Sequence, residues 1–538
     1  MRVFEVVIAL LLGGAILASV ARRLGTPYPA LVALAGAVLA LVPGTPTLVL
    51  NPELALALFV APVLLDAAFD SSLRDLRANW RPILGLAVGA VILTVAAVAL
   101  VAKALVPGMP WGAAIALGAI VAPPDAAAAT AVLKQLRPPN RLLVILEGES
   151  LFNDASALLI YRLAVGATVG GVVVGWNVLP TLLVVTLGSV VLGLVLSRVS
   201  MMVVPRIQDV ATSVIVQFTS TFAVWVLAEA LRLSGILTMV VYAIATARRA
   251  GDLIPARIRV PSYAVWEVAV FVLNVLAFVL IGFQLKSIVA RFDRSTWVEY
   301  LWVAGAVCAA AILARIAWVS AAAAFSRWRC RPKPGKASDP NDPIAVSPRA
   351  AALVGWCGMR GIVTLAAALA LPTGGENVPA FPYRDLILFT AFAVVLATLV
   401  VQGLTLRSIM TRLHLAEDDT VEREVRVARA ATLRAALAVT HVERNTERVA
   451  FLRQWYELQL RRVEAELRRD TDGDRPARRP DLDAELWGSA DAELVRAGMH
   501  AERQRLLQLR TEGIIGDAAF QRVEEELDWA ELSLRQLR

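Results

Sequence analysis

Gly148-Glu149-Ser150-Leu151-Phe152-Asn153-Asp154 places two carboxylates inside an apolar stretch, 142–165, that is long enough to cross a bilayer. An ionised Asp at the centre of a membrane helix costs about 2.5–3.5 kcal/mol on insertion scales, so acids in this position usually face a wet cavity or an ion path. On a helix, Ser150 and Asp154 share one face, and Glu149 and Asn153 share another about 100° away. We therefore predict a functional role for Asp154 and different partners for the second face.

Composition places the chain among polytopic membrane proteins. Of its 538 residues, 58% are hydrophobic and 18% are charged, and the mean hydropathy is +0.64, which is too apolar for a soluble globule of this size. Charge is sparse before about Leu406 and dense after it, so we predict a transmembrane domain over 1–412 and a helical cytoplasmic domain over 413–538. The three cysteines have no disulfide or zinc spacing, and no aromatic-interleaved basic patch predicts nucleic-acid binding.

Apolar stretches of about 20 residues predict thirteen membrane spans. They lie near residues 3–21, 28–43, 53–69, 82–105, 111–133, 142–165, 173–197, 210–230, 234–247, 263–285, 299–325, 350–372 and 385–406. Basic loops alternate with loops poor in Lys and Arg, so the positive-inside rule places the N-terminus outside and the C-terminus in the cytoplasm. The loop with Lys286, Arg291 and Arg294 is an exception. The first span also has features of a signal peptide, but the basic pair Arg22-Arg23 after it favours a retained helix.

Three of these spans contain residues that interrupt a helix. The third has Pro62 with Asp66, the fifth has Pro123-Pro124-Asp125, and the twelfth has a glycine-rich stretch around Arg360. Proline removes a backbone donor and paired glycines loosen a helix, so we predict broken helices that cross at mid-membrane. The breaks in the fifth and twelfth spans, seven apart, indicate inverted repeats, which place a substrate site at the midplane.

The residues around these breaks predict a site for a small cation. The carboxylates of Asp125 and Asp154, the Ser150 hydroxyl and the freed Pro124 carbonyl form a hard oxygen cage, and sodium is the expected ion. Neither span contains His or Cys, which argues against a transition metal. The structural alternative is that each Asp pairs with a buried base or caps a half helix.

A carboxylate in this setting can hold either of two competing ligands. Loss of solvation and a second negative charge nearby both favour the protonated form. A proton and a cation then exclude each other at one site. That exclusion is sufficient for exchange if the site opens to one side of the membrane at a time.

Two arginines in apolar surroundings need counter-charges. Glu149 faces away from the cage and Arg360 lies in the other broken span, so we predict that they form a structural ion pair, of a kind whose disruption costs about 3–5 kcal/mol. For Arg315 the sequence leaves open a snorkelling position near a helix end or one of three partners: Asp125, Asp154 and Asp66. Arg315 and Asp66 are accessory candidates for the site itself.

The C-terminal region has the pattern of charged amphipathic helices. We predict helices over 421–469 and from 484 to the end, with a loop at 471–476 and a break near 513–516. His414, His441 and His500 lie in or beside these helices. Exposed surface histidines are the simple interpretation, and a pH sensor is the alternative.

Three stretches together resemble the bacterial form of the sodium/proton exchanger family of monovalent cation/proton antiporters. They are 148–154, Leu-Gly-Ala-Ile-Val-Ala-Pro-Pro-Asp at 117–125, and Gly-Met-Arg-Gly-Ile-Val-Thr-Leu with Ala-Leu-Pro within 358–372. The resemblance covers the membrane domain, with a weaker one over 502–527. It differs at Pro124-Asp125-Ala126, where many relatives have Thr-Asp-Pro, so that threonine hydroxyl is absent here.

The resemblance implies thirteen spans, a homodimer, and rocking or elevator-like movement of a core that bears the site. It implies that Asp154 binds the cation and the proton, that Asp125, Ser150 and the Pro124 carbonyl complete the cage, and that Glu149 and Arg360 stabilise it. Relatives with Asn before the key Asp, as Asn153 here, are expected to be electroneutral.

We therefore expect a secondary antiporter of the bacterial cytoplasmic membrane, without a cofactor, that exchanges sodium or another alkali cation for protons and serves pH and sodium homeostasis. An intramembrane aspartyl protease is a rival, but its Gly-x-Gly-Asp motif is missing at Asp125 and Asp154. A cation channel is a second rival, which would carry steady current. A third is a scaffold or sensor centred on the C-terminal region, whose binding partner the sequence does not identify.

Overall fold

The fold consists of helices. The computed structural model describes residues 2–24, 26–40, 42, 52–133, 138–169, 178–289, 297–329, 347–374, 380–413, 420–442, 447–468 and 492–536, and these ranges contain no β-strand. In lipid, a helix satisfies its backbone donors and acceptors internally, which explains why so apolar a chain adopts this class. The predicted all-α fold is confirmed.

The helices before the C-terminal region are numbered α1 to α16. They span Arg2–Leu24 (α1), Tyr28–Ala40 (α2), 52–69 (α3), Leu73–Ala78 (α4), Trp80–Leu105 (α5), Trp111–Val121 (α6), Ala126–Leu133 (α7), Asn140–Val169 (α8), Val178–Val203 (α9), Val210–Ala230 (α10), Gly235–Leu253 (α11), Ala256–Val289 (α12), Trp297–Arg329 (α13), Pro348–Trp356 (α14), Ile362–Leu369 (α15) and Arg384–Leu413 (α16). Three of them contain a π-helical turn, at Leu56–Val60, Gly85–Ala90 and Thr398–Gln402.

Many of these helices have the length and composition of membrane spans. Within the described residues, six are long and apolar enough to cross a membrane, namely α5, α9, α10, α12, α13 and α16, and shorter apolar helices lie in α1, α2, α3 and α6. Large apolar side chains on their outer faces are exposed, such as Leu187 on α9 and Val226 on α10, as expected of surfaces that meet lipid. The total of thirteen spans stays a prediction, as does the inverted repeat.

The predicted breaks occur in two of the three spans. The fifth is interrupted at 122–125, between α6 and α7, and the twelfth at 357–361, between α14 and α15. The predicted break in the third span is wrong, because α3 continues through Pro62. The π-helical turn ends at Val60, so Pro62 falls in the first turn of the α-helix that follows, where the missing N–H is tolerated.

Helix α12 packs so closely against α2 that their backbones are in contact. A Cβ atom on Gly36 would lie 2.6 Å from the carbonyl oxygen of Val279, and one on Gly282 would lie 2.6 Å from that of Ala33. Small residues at a helix interface permit such close approach in membranes. This contact fixes the position of α12, which contributes part of the wall of the cavity described below.

Four further helices form the C-terminal region. They are Thr420–Val442 (α17), Glu447–Arg468 (α18), Ala492–Thr511 (α19) and Asp517–Gln536 (α20). The break between α19 and α20 confirms the one predicted near 513–516. Helices α17 and α18 lie along the helix predicted over 421–469, and residues 443–446 between them lie outside the described residues. The predicted loop at 471–476 and His414 lie outside the described residues, and His441 and His500 are exposed.

The C-terminal region contacts the start of α12 through buried charges. The Arg259 guanidinium donates from Nε and Nη2 to the two carboxylate oxygens of Asp528, at 2.8 and 2.6 Å, and lies 3.3 Å from Glu524. Arg503 on α19 also pairs with Asp528, at 2.6 Å. Arg259 and Asp528 are 2% and 1% exposed, so this ion cluster joins α20 firmly to a long apolar helix.

Candidate cation site

The two interrupted helices meet at their breaks, where their extended segments are hydrogen-bonded to each other. The backbone N–H of Asp125 donates to the carbonyl of Met359 at 2.6 Å. The backbone N–H of Arg360 donates to the Thr398 hydroxyl of α16 at 3.1 Å. Backbone groups freed by the breaks are therefore satisfied by protein, as non-helical backbone at membrane depth requires.

The side chain of Arg360 closes the end of α6. Its Nε donates to the carbonyl of Val121 at 3.0 Å, and its Nη1 donates to the carbonyl of Gly358. The residue is fully buried. A cation at the C-terminal end of a helix is favoured by the partial negative charge there. Arg360 of the second break therefore stabilises the end of the helix that precedes the first break.

The Asp125 carboxylate lies at the opposite kind of helix end. Oδ2 is the nearest atom to the position where a Cβ would stand on Gly361, and Gly361 is the N-cap of α15. Negative charge is stabilised near a helix N-terminus. The close approach requires glycine at 361, since any larger residue would displace the carboxylate.

Helix α8 brings its polar face to the first break. The Ser150 hydroxyl accepts a hydrogen bond from the backbone N–H of Ala126 at 3.4 Å, and the Asn153 side-chain amide donates to the carbonyl of Pro124 at 2.8 Å. The Pro124 carbonyl, predicted as a cation ligand, therefore already accepts one bond and has one lone pair left.

A cavity opens beside these groups and encloses about 550 Å³ of space outside the atoms. Its walls include Asp125, Ser150, Asp154 and Pro124, so the structure brings together four of the five residues predicted to bind the cation or proton. Asn153 does not line it; its amide holds the Pro124 carbonyl instead. The remaining wall is largely apolar: Phe59, Val60, Val63, Leu64, Pro123, Asn274, Ala277, Phe278, Gly361, Ile362, Val363 and Thr364.

Asp154 is the buried acid of this cavity. It is 7% exposed, and within the described part of the chain its carboxylate has no hydrogen bond and no basic partner. Asp125 is the charged group that acts on it. An isolated buried carboxylate is costly unless it is neutralised, which a proton or a cation in the cavity would do.

The predicted pair of Glu149 with Arg360 is wrong, because Glu149 pairs with Arg315. Arg315 Nη2 donates to Glu149 Oε2 at 2.8 Å, and Nη1 donates to Oε1. Both residues are 2% exposed. The physical reason is that the Arg360 guanidinium donates to the carbonyls of Val121 and Gly358, while α13 presents Arg315 to the second face of α8 in a bidentate geometry.

Asp66, an accessory candidate, and two other acids in apolar stretches lie elsewhere. Asp66 is half-buried on α3 and is not part of the cavity wall, and Glu267 on α12 is exposed. Glu229 pairs with Arg162 at 3.0 Å. Arg315 accordingly has none of the three partners left open by the sequence, and it does not snorkel.

The site predicted from the sequence includes neither Thr364 nor Asn274, although both line the cavity. Asn274 is a side-chain amide in an apolar stretch, which was a usable signal. Thr364 follows the second break in an ordinary helical run, and nothing local distinguishes it from a structural threonine.

Comparisons with known proteins agree over most of the chain. The family model "Sodium/hydrogen exchanger, transmembrane" matches residues 6–412. An uncharacterised Na⁺/H⁺ exchanger of Mycobacterium tuberculosis is 31% identical over 517 residues, which cover 94% of this chain and 91% of that protein. A sodium, potassium, lithium and rubidium/H⁺ antiporter of Bacillus subtilis is 32% identical over 66% of this chain and 54% of its own length.

A solved structure has the same fold. The sodium proton antiporter MjNhaP1 of Methanocaldococcus jannaschii aligns with a TM-score of 0.59 over 75% of this chain and 99% of its own, at 19% identity. At that identity the likeness concerns the fold alone.

Proposed function

Because this chain belongs to the sodium/hydrogen exchanger family, we propose that it exchanges sodium for protons through competition at Asp154. Members of this family are multi-pass membrane transporters and not enzymes. They are named for the exchange of a cation for protons. Sodium as the principal ion, an electroneutral cycle and the role of Asp154 are our proposals. The ions in the name of the Bacillus subtilis antiporter make potassium, lithium and rubidium the ions to compare with sodium.

The observation that carries the proposal is that Asp154 borders a cavity and yet has no basic partner within the described residues. The residue itself is 7% exposed. A permanent ion pair would leave no place for cargo. An unpaired acid beside Asp125 and Ser150 has oxygen ligands for an alkali cation and a site for a proton.

The crossing of the two breaks supports alternating access. The half helices end at the site, and their charged ends are neutralised by Arg360 and Asp125 of the opposite segment. The crossing can therefore move as a unit without stranding a charge. Cation release to one side and proton uptake from it then leave the same carboxylate neutral in the return step.

We propose that one sodium ion is exchanged for one proton, because the residue before Asp154 is the neutral Asn153 and not a second carboxylate. The Asn153 amide carries no charge and is engaged with Pro124. We further propose, on the family resemblance, a homodimer, inverted repeats across thirteen spans, an outside N-terminus, and a cytoplasmic region over 413–538 that regulates the membrane domain over 1–412. Labelling Cys330 from each side of the membrane tests the orientation, and chemical cross-linking tests the dimer.

The decisive experiment is Asp154→Asn in everted membrane vesicles. We expect sodium-induced proton movement to vanish while the protein stays folded in the membrane, since an amide binds neither a proton nor a cation as a carboxylate does. The matched control is Glu229→Gln, which removes an acid outside the cavity and should keep most of the activity. Exchange at the normal rate in Asp154→Asn would disprove the central claim.

A further inference from the structure

Thr364 presents a buried hydroxyl to the cavity. The residue lies in the first turn of α15, is 1% exposed, and forms part of the same wall as Asp125, Ser150 and Asp154. Its Oγ1 has no hydrogen-bond partner within the described residues. Buried polar atoms are normally satisfied, so a hydroxyl that lacks a protein partner and belongs to a residue of a cavity wall is available to a water molecule or an ion.

The helix break explains why this hydroxyl is free. A threonine inside a helix commonly donates to the carbonyl four residues earlier, as Thr94 does to Ala90 at 2.7 Å in this chain. For Thr364 that residue is Arg360, which lies in the extended segment before α15. The usual acceptor is therefore displaced from the helix axis, and the Thr364 hydroxyl stays available.

The position of Thr364 also places it beside Asp125. Residues three apart on a helix lie on one face, and the residue three before Thr364 is Gly361. The atom nearest to a Cβ built on Gly361 is Asp125 Oδ2. Thr364 and Asp125 thus belong to the same wall of the cavity.

We propose that Thr364 Oγ1 is a further ligand of the transported cation and favours sodium over potassium. This inference rests on the proposed function. It adds a neutral oxygen from the second interrupted helix to those of the first break and α8, so both crossing segments hold the ion. A smaller ion gains more from each direct oxygen contact because electrostatic attraction increases as the distance falls.

The test measures exchange in proteoliposomes with an imposed pH gradient, for Thr364→Val and Thr364→Ser. Valine keeps the shape and removes the hydroxyl; serine keeps the hydroxyl. We expect the sodium concentration for half-maximal exchange to rise about tenfold in Thr364→Val, the effect of losing one polar contact to an ion. The potassium value should rise by a smaller factor, and Thr364→Ser should stay within about twofold of the wild type for both ions.

Two matched controls separate a ligand from a buried hydroxyl in general. Thr238 and Thr390 are also buried, and their hydroxyls also lack partners within the described residues, but neither lines the cavity. Thr238→Val and Thr390→Val should leave the half-maximal sodium concentration unchanged. If Thr364→Val does not reach the membrane, the same comparison is made between Thr364→Ala and Thr364→Ser.

The outcomes distinguish this inference from the proposed function. A wild-type protein that moves no protons in response to any alkali cation overturns both. A wild-type protein that exchanges sodium, with an unchanged half-maximal concentration in Thr364→Val, overturns only the role of Thr364. Equal increases for sodium and potassium in Thr364→Val would remove the selectivity part and leave the hydroxyl as an unselective ligand.

Discussion

Glu149 and Asp154 lie five residues apart on α8, are similarly buried, and have opposite surroundings. Glu149 forms two hydrogen bonds with Arg315 and faces packed protein, whereas Asp154 borders a cavity without a basic partner in the described chain. Burial alone therefore does not separate the two acids. Pairing does, because a bidentate arginine permanently satisfies the oxygens that a cation would need, and the proposed role of Asp154 depends on this difference.

Substitutions at the two sites are therefore expected to cause different defects. Loss of a permanent partner leaves a charge stranded in the interior, which lowers stability. Loss of an unpaired acid removes a binding site and leaves little to destabilise. Variants of the paired acid should thus affect folding, and variants at the cavity should affect ion affinity.

The largest effect on stability is expected for Arg315→Met. The single variant strands Glu149 and should lower the free energy of unfolding by about 3–5 kcal/mol. The double variant Arg315→Met with Glu149→Gln removes both charges and should recover much of the loss. Thermal unfolding in detergent measures both. A double variant no more stable than the single one would contradict the interpretation of this pair as a stability element.

That comparison also marks how far the sequence alone reaches. Asp125, Ser150 and Asp154 were predictable, because an acid within an apolar span is costly and therefore rarely incidental. The breaks at 122–125 and 357–361 were predictable from paired prolines and glycines. Both signals are local, so no tertiary information was needed.

The partner of Glu149 was not predictable in the same way. Arg315 and Arg360 are both basic residues in apolar spans, and the choice depends on how α13 is rotated and on which carbonyls lie near Arg360. The break in α3 was also predicted wrongly, because the local pattern does not indicate the π-helical turn that ends at Val60 and leaves Pro62 in the first turn of the next α-helix. Thr364 could be singled out only from the structure, which shows that its hydroxyl has no hydrogen-bond partner within the described residues.

A smaller effect, confined to ion affinity, is expected for Gly361→Ala. The added Cβ would overlap Asp125 Oδ2, so the carboxylate must move away from the N-terminus of α15. We expect the half-maximal sodium concentration to rise about tenfold, comparable to losing one contact to a charged group, with little change in thermal stability.

Gly355→Ala on α14 is the matched control for this variant. A Cβ there would lie 3.4 Å from the Cα of Ile316, an ordinary contact. It should leave exchange close to that of the wild type. If the two alanine variants behave alike, the position of Asp125 against Gly361 is not what sets cation affinity.

The smallest effect is expected at the ion cluster between α12 and α20, where a charge has more than one partner. Arg259→Gln leaves Asp528 paired with Arg503, so the loss of stability should be smaller than that for Arg315→Met.

Burial raises the pKa of Glu524, although Arg259 nearby acts in the opposite direction. An acid whose pKa is raised by docking favours the docked state at low pH and loses that contribution as the pH rises through its docked pKa.

We therefore expect α20 to separate from the membrane helices more readily as the pH rises, with Asp528, Arg503, Arg510 and Arg259 as the other charges around Glu524. The distance between spin labels on α11 and α20, measured across a pH series, reports this separation. Glu524→Gln should flatten the pH dependence, because an amide does not titrate. The exposed neighbour Glu525 offers the control: if Glu525→Gln flattens the profile equally, Glu524 is not the titrating group, and the contrast between paired and titratable acids does not extend to the C-terminal region.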